Sequence, residues 1–350
     1  MNNRRTTLEF LSRILKKTAN QFPFQFLFLL ILLSVLSCLS LFSGAEKISA
    51  GRFLQSLKTH TLESTIILQL RLPRILLCIT SGALLGGSAA VLQGFFRNPL
   101  ADSGILGLSS GATFGAIISS FLPFPLAAAG FKFLAPVSIF AFAGSILCAL
   151  AVFSFSMIFR NSSVSLLLAG TATGTFISSI NSLLLLFHSK NFHSIIVWTM
   201  GSFSGKNWDD FFILLFPSIL AMLLLFLTFP YLDILGSGEK TAVSLGLNLN
   251  RLRILVLAGA SLASSCAVCS GGIISFAGFI SPHIARKLFS CRHKKLIPLS
   301  MLTGATVLLI SDLFARTLLA PQEIPVGIIT ALLGVPFFIT ALQKNSSWQQ

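Results

Sequence analysis

Residues 71–101 read RLPRILLCITSGALLGGSAAVLQGFFRNPLA. Between Arg74 and Arg97 lie 22 residues without a charge, Ile75 to Phe96. At about 1.5 Å per residue a helix of that length spans roughly 33 Å, close to the ~30 Å hydrocarbon core of a bilayer. A helix on the surface of a soluble domain would carry a polar stripe. Here Thr80, Ser81, Ser88 and Gln93 are the polar side chains, and three of the four are small hydroxyls. The stretch predicts a transmembrane helix with arginines at its two ends.

The same reading extends in both directions. Apolar runs of roughly membrane-spanning length recur at 22–42, 75–96, 104–122, 135–159, 164–187, 211–230, 254–270, 273–285, 297–319 and 325–343. The third is rich in glycine. The eighth is short and contains Pro282, and such interrupted helices survive in a membrane only where protein or a water-filled path surrounds them. The expected fold is an all-α polytopic membrane protein of about ten spans in one bundle. Residues 1–21 form a cytoplasmic N-terminal segment, 22–343 the membrane domain and 344–350 a cytoplasmic tail. The first run is too long for a signal-peptide core of about 7–15 residues.

Composition agrees. Of the 350 residues 54% are apolar and 10% charged, against about 25% charged in soluble domains. The net charge of +15 invites a nucleic-acid reading, but the bases sit between apolar runs rather than in a polar domain. They follow the positive-inside rule: with the N-terminus in the cytoplasm, 16 Lys and Arg fall on the cytoplasmic side and 9 outside. Arg71, Arg74 and Arg316 fall on the outer side, against that bias. Gly82 and Gly86, then Gly107, Gly111 and Gly115, and Gly170 and Gly174 recur at four-residue spacing, which lets helix backbones approach closely in lipid. Cys266 and Cys269 form a C-x-x-C, a pattern that can be redox-active or metal-binding, but inside an apolar run cysteine also serves as a small buried residue, which is the favoured reading. His60, His188, His193 and His283 have no partners at metal-ligand spacing, so neither a metal nor a cofactor is expected.

Four segments, in order, resemble the iron–siderophore/haem/cobalamin permease family of ATP-binding-cassette (ABC) importers. The first is 71–101, with R-x-P-R, Q-G and N-P-L-A, continued by L-G-L-S-S-G-A at 106–112. The second is W-x-x-G-S from Trp198, followed by Trp208. The third is GEKTAVSLGLNLNR, 238–251. The fourth runs from Gly272 to Leu342, with F-x-G-F-x-x-P-H-x-A-R, D-x-x-A-R, E-I-P-V-G and T-x-x-x-G-x-P-F-F. Ser103, Gly278-Phe279 and the basic run Arg292 to Lys295 depart locally from the family pattern.

The resemblance implies a non-enzymatic permease that pairs with a second copy or paralogue. Two cytoplasmic ATPase subunits would drive it, and a periplasmic or extracellular substrate-binding protein would feed it. It implies docking of that protein on Arg71, Arg74 and Arg316, whose guanidinium groups can grip carboxylates through paired hydrogen bonds; headgroup anchoring is the plainer alternative. It implies a coupling loop built from Glu239, Ala242, Leu245 and Gly246, where a connector whose glycine stops a helix would be the plain reading. Leu100 and Ser163 become gate candidates, against ordinary capping turns. Asp312 stands in an apolar helix four residues before Arg316, on the same face. A structural pair is favoured there, and a proton relay through Asp312 would make the chain a secondary transporter instead. A polytopic enzyme would need clustered His, Asp or Glu, which the inner loops lack.

Overall fold

A computed structural model describes residues 2–44, 51, 53, 62–121, 136–158, 163–187, 192–289 and 292–344. Arg160, Ser162, His60, His188 and Cys291 lie outside the described residues. Regular structure among the described residues is helical throughout. Ten helices answer to the ten expected spans: α1 Asn2–Phe42, α2 Leu72–Phe96, α3 Leu108–Phe121, α4 Pro136–Ile158, α5 Ser163–Phe187, α7 Trp208–Leu227, α10 Leu249–Gly271, α11 Ala277–Phe289, α12 His293–Thr317 and α13 Val326–Lys344. Three short helices, α6 Phe192–Thr199, α8 Phe229–Leu235 and α9 Glu239–Ser244, lie in the connections.

The boundaries differ from the expected ones where side-chain chemistry outranks apolarity. α1 runs back unbroken to Asn2, so its 41 residues extend about 60 Å, twice the hydrocarbon thickness; its apolar, span-length part is Phe22–Phe42. α7 starts three residues early because Asn207 closes a capping box: its side chain accepts from the Asp210 amide at 3.1 Å, and the Asp210 carboxylate accepts from the Asn207 amide at 3.2 Å.

α2 is entered from further out, through a helical turn at Leu62–Thr65 and a π-helical segment at Ile66–Arg71. Pro73 explains the wide turn. It has no N–H to give, so in π register the carbonyl five residues back, Leu68, loses its backbone donor. The Trp208 indole supplies that donor at 2.8 Å, which ties the start of α7 to the start of α2.

Three helices form the centre: α2, α10 and α12 bury most of their length, whereas α1, α5 and α7 leave most of theirs for lipid or another chain. α2 and α12 pack antiparallel through their small residues. A Cβ on Gly82 would lie 2.8 Å from the Ala305 Cα, and one on Gly86 would run into the Ser300 carbonyl. Further along the same contact Gly94 lies against His293. A second close pair joins α3 to α4, where a Cβ on Gly111 would meet the Gly144 carbonyl and one on Gly115 the Phe140 carbonyl. Gly107, at φ +69°, abuts Gly170 and Gly174 of α5. The four-residue glycine spacings are thus points of backbone contact, as expected of helix pairs in lipid.

Two breaks in regular structure face each other. The turn after α6, with Gly201 at φ +77°, lies beside the irregular stretch from Gly272 (φ +72°) to Phe276 (φ +64°), and the Ser202 amide donates to the Gly271 carbonyl at 2.7 Å. Gly327 at the start of α13 closes on both, against the Met200 and Ile273 carbonyls. Non-helical backbone is tolerable at membrane depth when protein surrounds it or it lines a cavity. Here it borders an open, largely apolar groove of about 590 Å³ lined by Met200, Ile273, Ser275, Ile328, Leu332 and Val335 among others.

Candidate functional site: a charge cluster at one end, a projecting loop at the other

The N-terminus of α2 and the C-terminus of α12 meet at one end of the bundle and bring together Arg71, Arg74, Asp312 and Arg316. Arg71, Arg74 and Arg316 are buried, at 8%, 9% and 4% exposure, and Asp312 is at 0%. Arg74 holds Asp312 with two nitrogens, Nη2 donating to Oδ1 at 2.8 Å and Nε donating to Oδ1 at 3.1 Å. Its remaining edge, Nη1, donates to Glu323 Oε1 at 2.7 Å. Glu323 sits on the connection between α12 and α13, with its side chain 34% exposed. Burial pushes the Glu323 carboxyl up, but the hydrogen bond and charge of Arg74, with a Ser204 hydrogen bond and the charge of Arg316, outweigh it and hold the group below its ordinary value.

The sequence paired Asp312 with Arg316, four residues on. In the structure that contact is the long one, 3.6 Å from Arg316 Nε to Asp312 Oδ2, and the main partner is Arg74 on another helix. Arg316 points to the end of α1 instead, where Nη2 donates to the Ser40 carbonyl at 2.7 Å and also meets the Ser40 hydroxyl. Arg71 Nη1 donates to the neighbouring Leu41 carbonyl at 2.8 Å. The last carbonyls of a helix lack backbone donors and attract cations, so these two arginines cap α1. The three arginines expected at the outer surface are therefore inward-turned and held by this chain's own groups. Of the cluster's members, Glu323 reaches furthest into the open.

At the opposite end α8, α9 and the start of α10 form a projecting loop. α9 begins at Glu239 after Gly238 (φ +107°) and stops at Gly246 (φ +87°), a conformation that favours glycine. Ala242 is fully buried and seats the helix on its own bundle, while Val243 and Leu245 are 53% and 67% exposed. Asn248 then caps α10 by accepting from the Arg251 amide at 3.1 Å.

Beside this loop the Asp233 carboxylate receives the His293 amide at 3.0 Å and lies 2.8 Å from His293 Nδ1, joining α8 to α12. Leu100 is 40% exposed on a turn in which Asn98 Oδ1 accepts from the Leu100 amide at 2.9 Å. His283 Nε2 lies 3.2 Å from the Pro99 carbonyl, and Arg286 Nη1 donates to Gln93 Oε1 at 2.5 Å. Ser163 opens α5, and its side chain lies outside the described residues. The sequence had left Glu323, Ser40, Asp233 and the Trp208 indole without roles. The E-I-P-V-G and second-Trp motifs did mark Glu323 and Trp208.

The FecCD transport family model matches residues 31–344 of the chain. The Fe(3+)-citrate import system permease protein of Bacillus subtilis is 37% identical over 92% of this chain and 96% of its own length. The hemin transport system permease protein of Yersinia pestis is 35% identical over 91% of this chain and 95% of its own. A solved structure assigned to the metal-chelate type of ABC transporter, in an inward-facing conformation, superposes with a TM-score of 0.80. It is 33% identical and covers 92% of this chain and 99% of that one.

Proposed function

The chain belongs to the FecCD transport family, and from that premise we propose that it carries an iron chelate inward across the membrane between itself and a second permease. It is a multi-pass membrane protein, the permease subunit of an ABC importer, and not itself an enzyme; it works with ATPase and substrate-binding partners. The proton-coupled alternative has no support. Asp312 is already held by Arg74 and neighboured by Arg316, so it offers no unpaired carboxylate to relay a proton.

The observation that carries the proposal is the pairing of a polar, charge-bearing end with a projecting loop at the other. Leu245 stands exposed next to a helix stop at Gly246, on an end rich in Lys and Arg. An apolar side chain presented to water in that way suits insertion into a cleft of a soluble subunit. We place the loop and both termini in the cytoplasm and the arginine cluster outside. Docking of the binding protein would use Arg71, Arg74 and Arg316, with Glu239, Ala242, Leu245 and Gly246 forming the coupling element and Leu100 and Ser163 the inner gate.

Exposed hydroxyls on α5 support a path between two permeases. Thr171, Thr175, Ser179 and Ser182 recur along one outward side, where lipid would gain nothing from them. Each donates to a carbonyl about one turn back, which leaves oxygen lone pairs facing outward. A path along this side would accept hydrogen bonds between the exposed Leu168 and Leu186, in keeping with a polar chelate. The test is uptake by the assembled importer of ferric citrate, a ferric hydroxamate, haemin and cyanocobalamin, each labelled. Saturable uptake of a ferric chelate supports the assignment; uptake of cyanocobalamin alone overturns it.

A further inference from the structure

Arg74 has two working edges with different fates. The Nε/Nη2 edge is committed to Asp312, which is wholly buried on α12. The Nη1 edge is committed to Glu323, which stands on an inter-helix connection with a third of its side chain in the open. The cluster holds three arginines against two carboxylates. It keeps one surplus positive charge with Glu323 in place and gains a second if Glu323 swings away. An ion pair that reaches solvent contributes little net stability, whereas stripping Asp312 from Arg74 would leave buried charges unpaired. One carboxylate of the cluster is thus exchangeable and the other is not.

We propose that Glu323 is a built-in stand-in for a carboxylate of the substrate-binding protein. It caps the open edge of Arg74 in the unbound permease, and docking proceeds by exchange of the partner's Asp or Glu for Glu323. The inference rests on the docking reading above and adds the residue that controls it. Exchange of one carboxylate for another never strands a buried guanidinium, so the partner need not pay the desolvation cost of a bare charge. Leu318 and Leu319 lie exposed on the same connection, at 57% and 61%. They supply the apolar rim that excludes water from a charge pair at an interface. The released Glu323 carries its charge into the aqueous layer, so docking and the position of the α12–α13 connection are linked.

The test measures binding of the importer's own substrate-binding protein to the permease–ATPase complex in lipid nanodiscs, across a salt series. A cap closed most of the time lowers apparent affinity by the fraction of open sites, so Glu323→Gln tightens binding by about fivefold to tenfold, chiefly through faster association. Glu323→Asp, which keeps the charge, stays near wild type. Monodisperse elution of each variant controls for folding. An unchanged or weakened affinity in Glu323→Gln overturns the proposal. Arg71→Gln separates the two ideas. If neither that change nor added salt weakens binding, the docking reading falls and the cap with it. If both weaken binding while Glu323→Gln fails to tighten it, the cap alone falls.

Discussion

Asp312→Asn tests what holds the arginine end together. The substitution keeps the shape of the side chain and removes its charge. Asp312 is at 0% exposure, and it neutralises an Arg74 whose side chain is 11% exposed and faces an Arg316 side chain at 4%. Removing one member of a buried ion pair leaves an uncompensated charge and costs about 3–5 kcal/mol. Glu323→Gln removes a carboxylate from the same guanidinium, but from the solvent side, where such pairs contribute about 0–1 kcal/mol.

The two variants should therefore differ by at least ~2 kcal/mol although both lose one hydrogen-bonded charge on Arg74. The assay is reversible unfolding in mixed micelles, read by maleimide labelling of Cys78, which is fully buried four residues beyond Arg74 on α2. Cys38, which is exposed, Cys291, and the other buried thiols Cys148, Cys266 and Cys269 are replaced by Ser or Ala so that Cys78 alone reports. In the double change with Arg74→Gln the losses should be non-additive by about 1–3 kcal/mol. If Asp312→Asn costs no more than Glu323→Gln, Asp312 is not the anchor of this end and the division into fixed and exchangeable carboxylates is wrong.

Gly304→Leu should prevent α2 and α12 from closing, because a Cβ there meets the Gly82 carbonyl. Overpacking costs about 1–3 kcal/mol or more, and the variant should aggregate on extraction while Leu302→Ala, at a half-buried position, does not. The Glu323–Arg74 pair also predicts a pH dependence. A carboxyl held below its ordinary value adds stability that is fully present above about pH 4.5 and is lost as pH falls through the lowered value in the folded protein. The stability difference between wild type and Glu323→Gln should thus be flat at neutral pH and vanish under acid, as read by thermal unfolding from pH 7 downward. Leu245→Glu should leave the permease folded, since that side chain is 67% exposed, yet abolish co-purification of the ATPase. Retained co-purification would remove Leu245 from the contact.

Much of the fold was legible in the sequence because a membrane span announces itself by the absence of charge. The run from Ile75 to Phe96 became α2 with only its first turn missed, and even the glycine-rich and proline-containing runs became α3 and α11. What was missed follows from backbone chemistry that apolarity does not encode. Helical structure reaches out past Arg71 to Leu62 because hydrogen bonding along the backbone is indifferent to Glu63 and Gln69. The π segment before Pro73 depended on an indole 140 residues away.

At the candidate site the reach of the sequence was shorter still. Spacing along one helix suggested Asp312 with Arg316, but Arg74 lies 238 residues from Asp312, and only the antiparallel contact of α2 with α12 brings them together. The short helix proposed for coupling is local in its structure: Gly238, Glu239 and Gly246 set the start and stop of a six-residue helix without help from the rest of the chain.

Energised transport distinguishes an ATP-driven permease from a proton-driven one. The permease is reconstituted in proteoliposomes with its ATPase and substrate-binding protein, and uptake of labelled ferric chelate is followed with ATP or with an imposed proton gradient. An ABC permease gives uptake that requires both ATP and the binding protein, persists when the proton gradient is collapsed, and is lost in Leu245→Glu. Uptake driven by the proton gradient without ATP, and abolished by Asp312→Asn in protein that remains folded, would contradict that assignment.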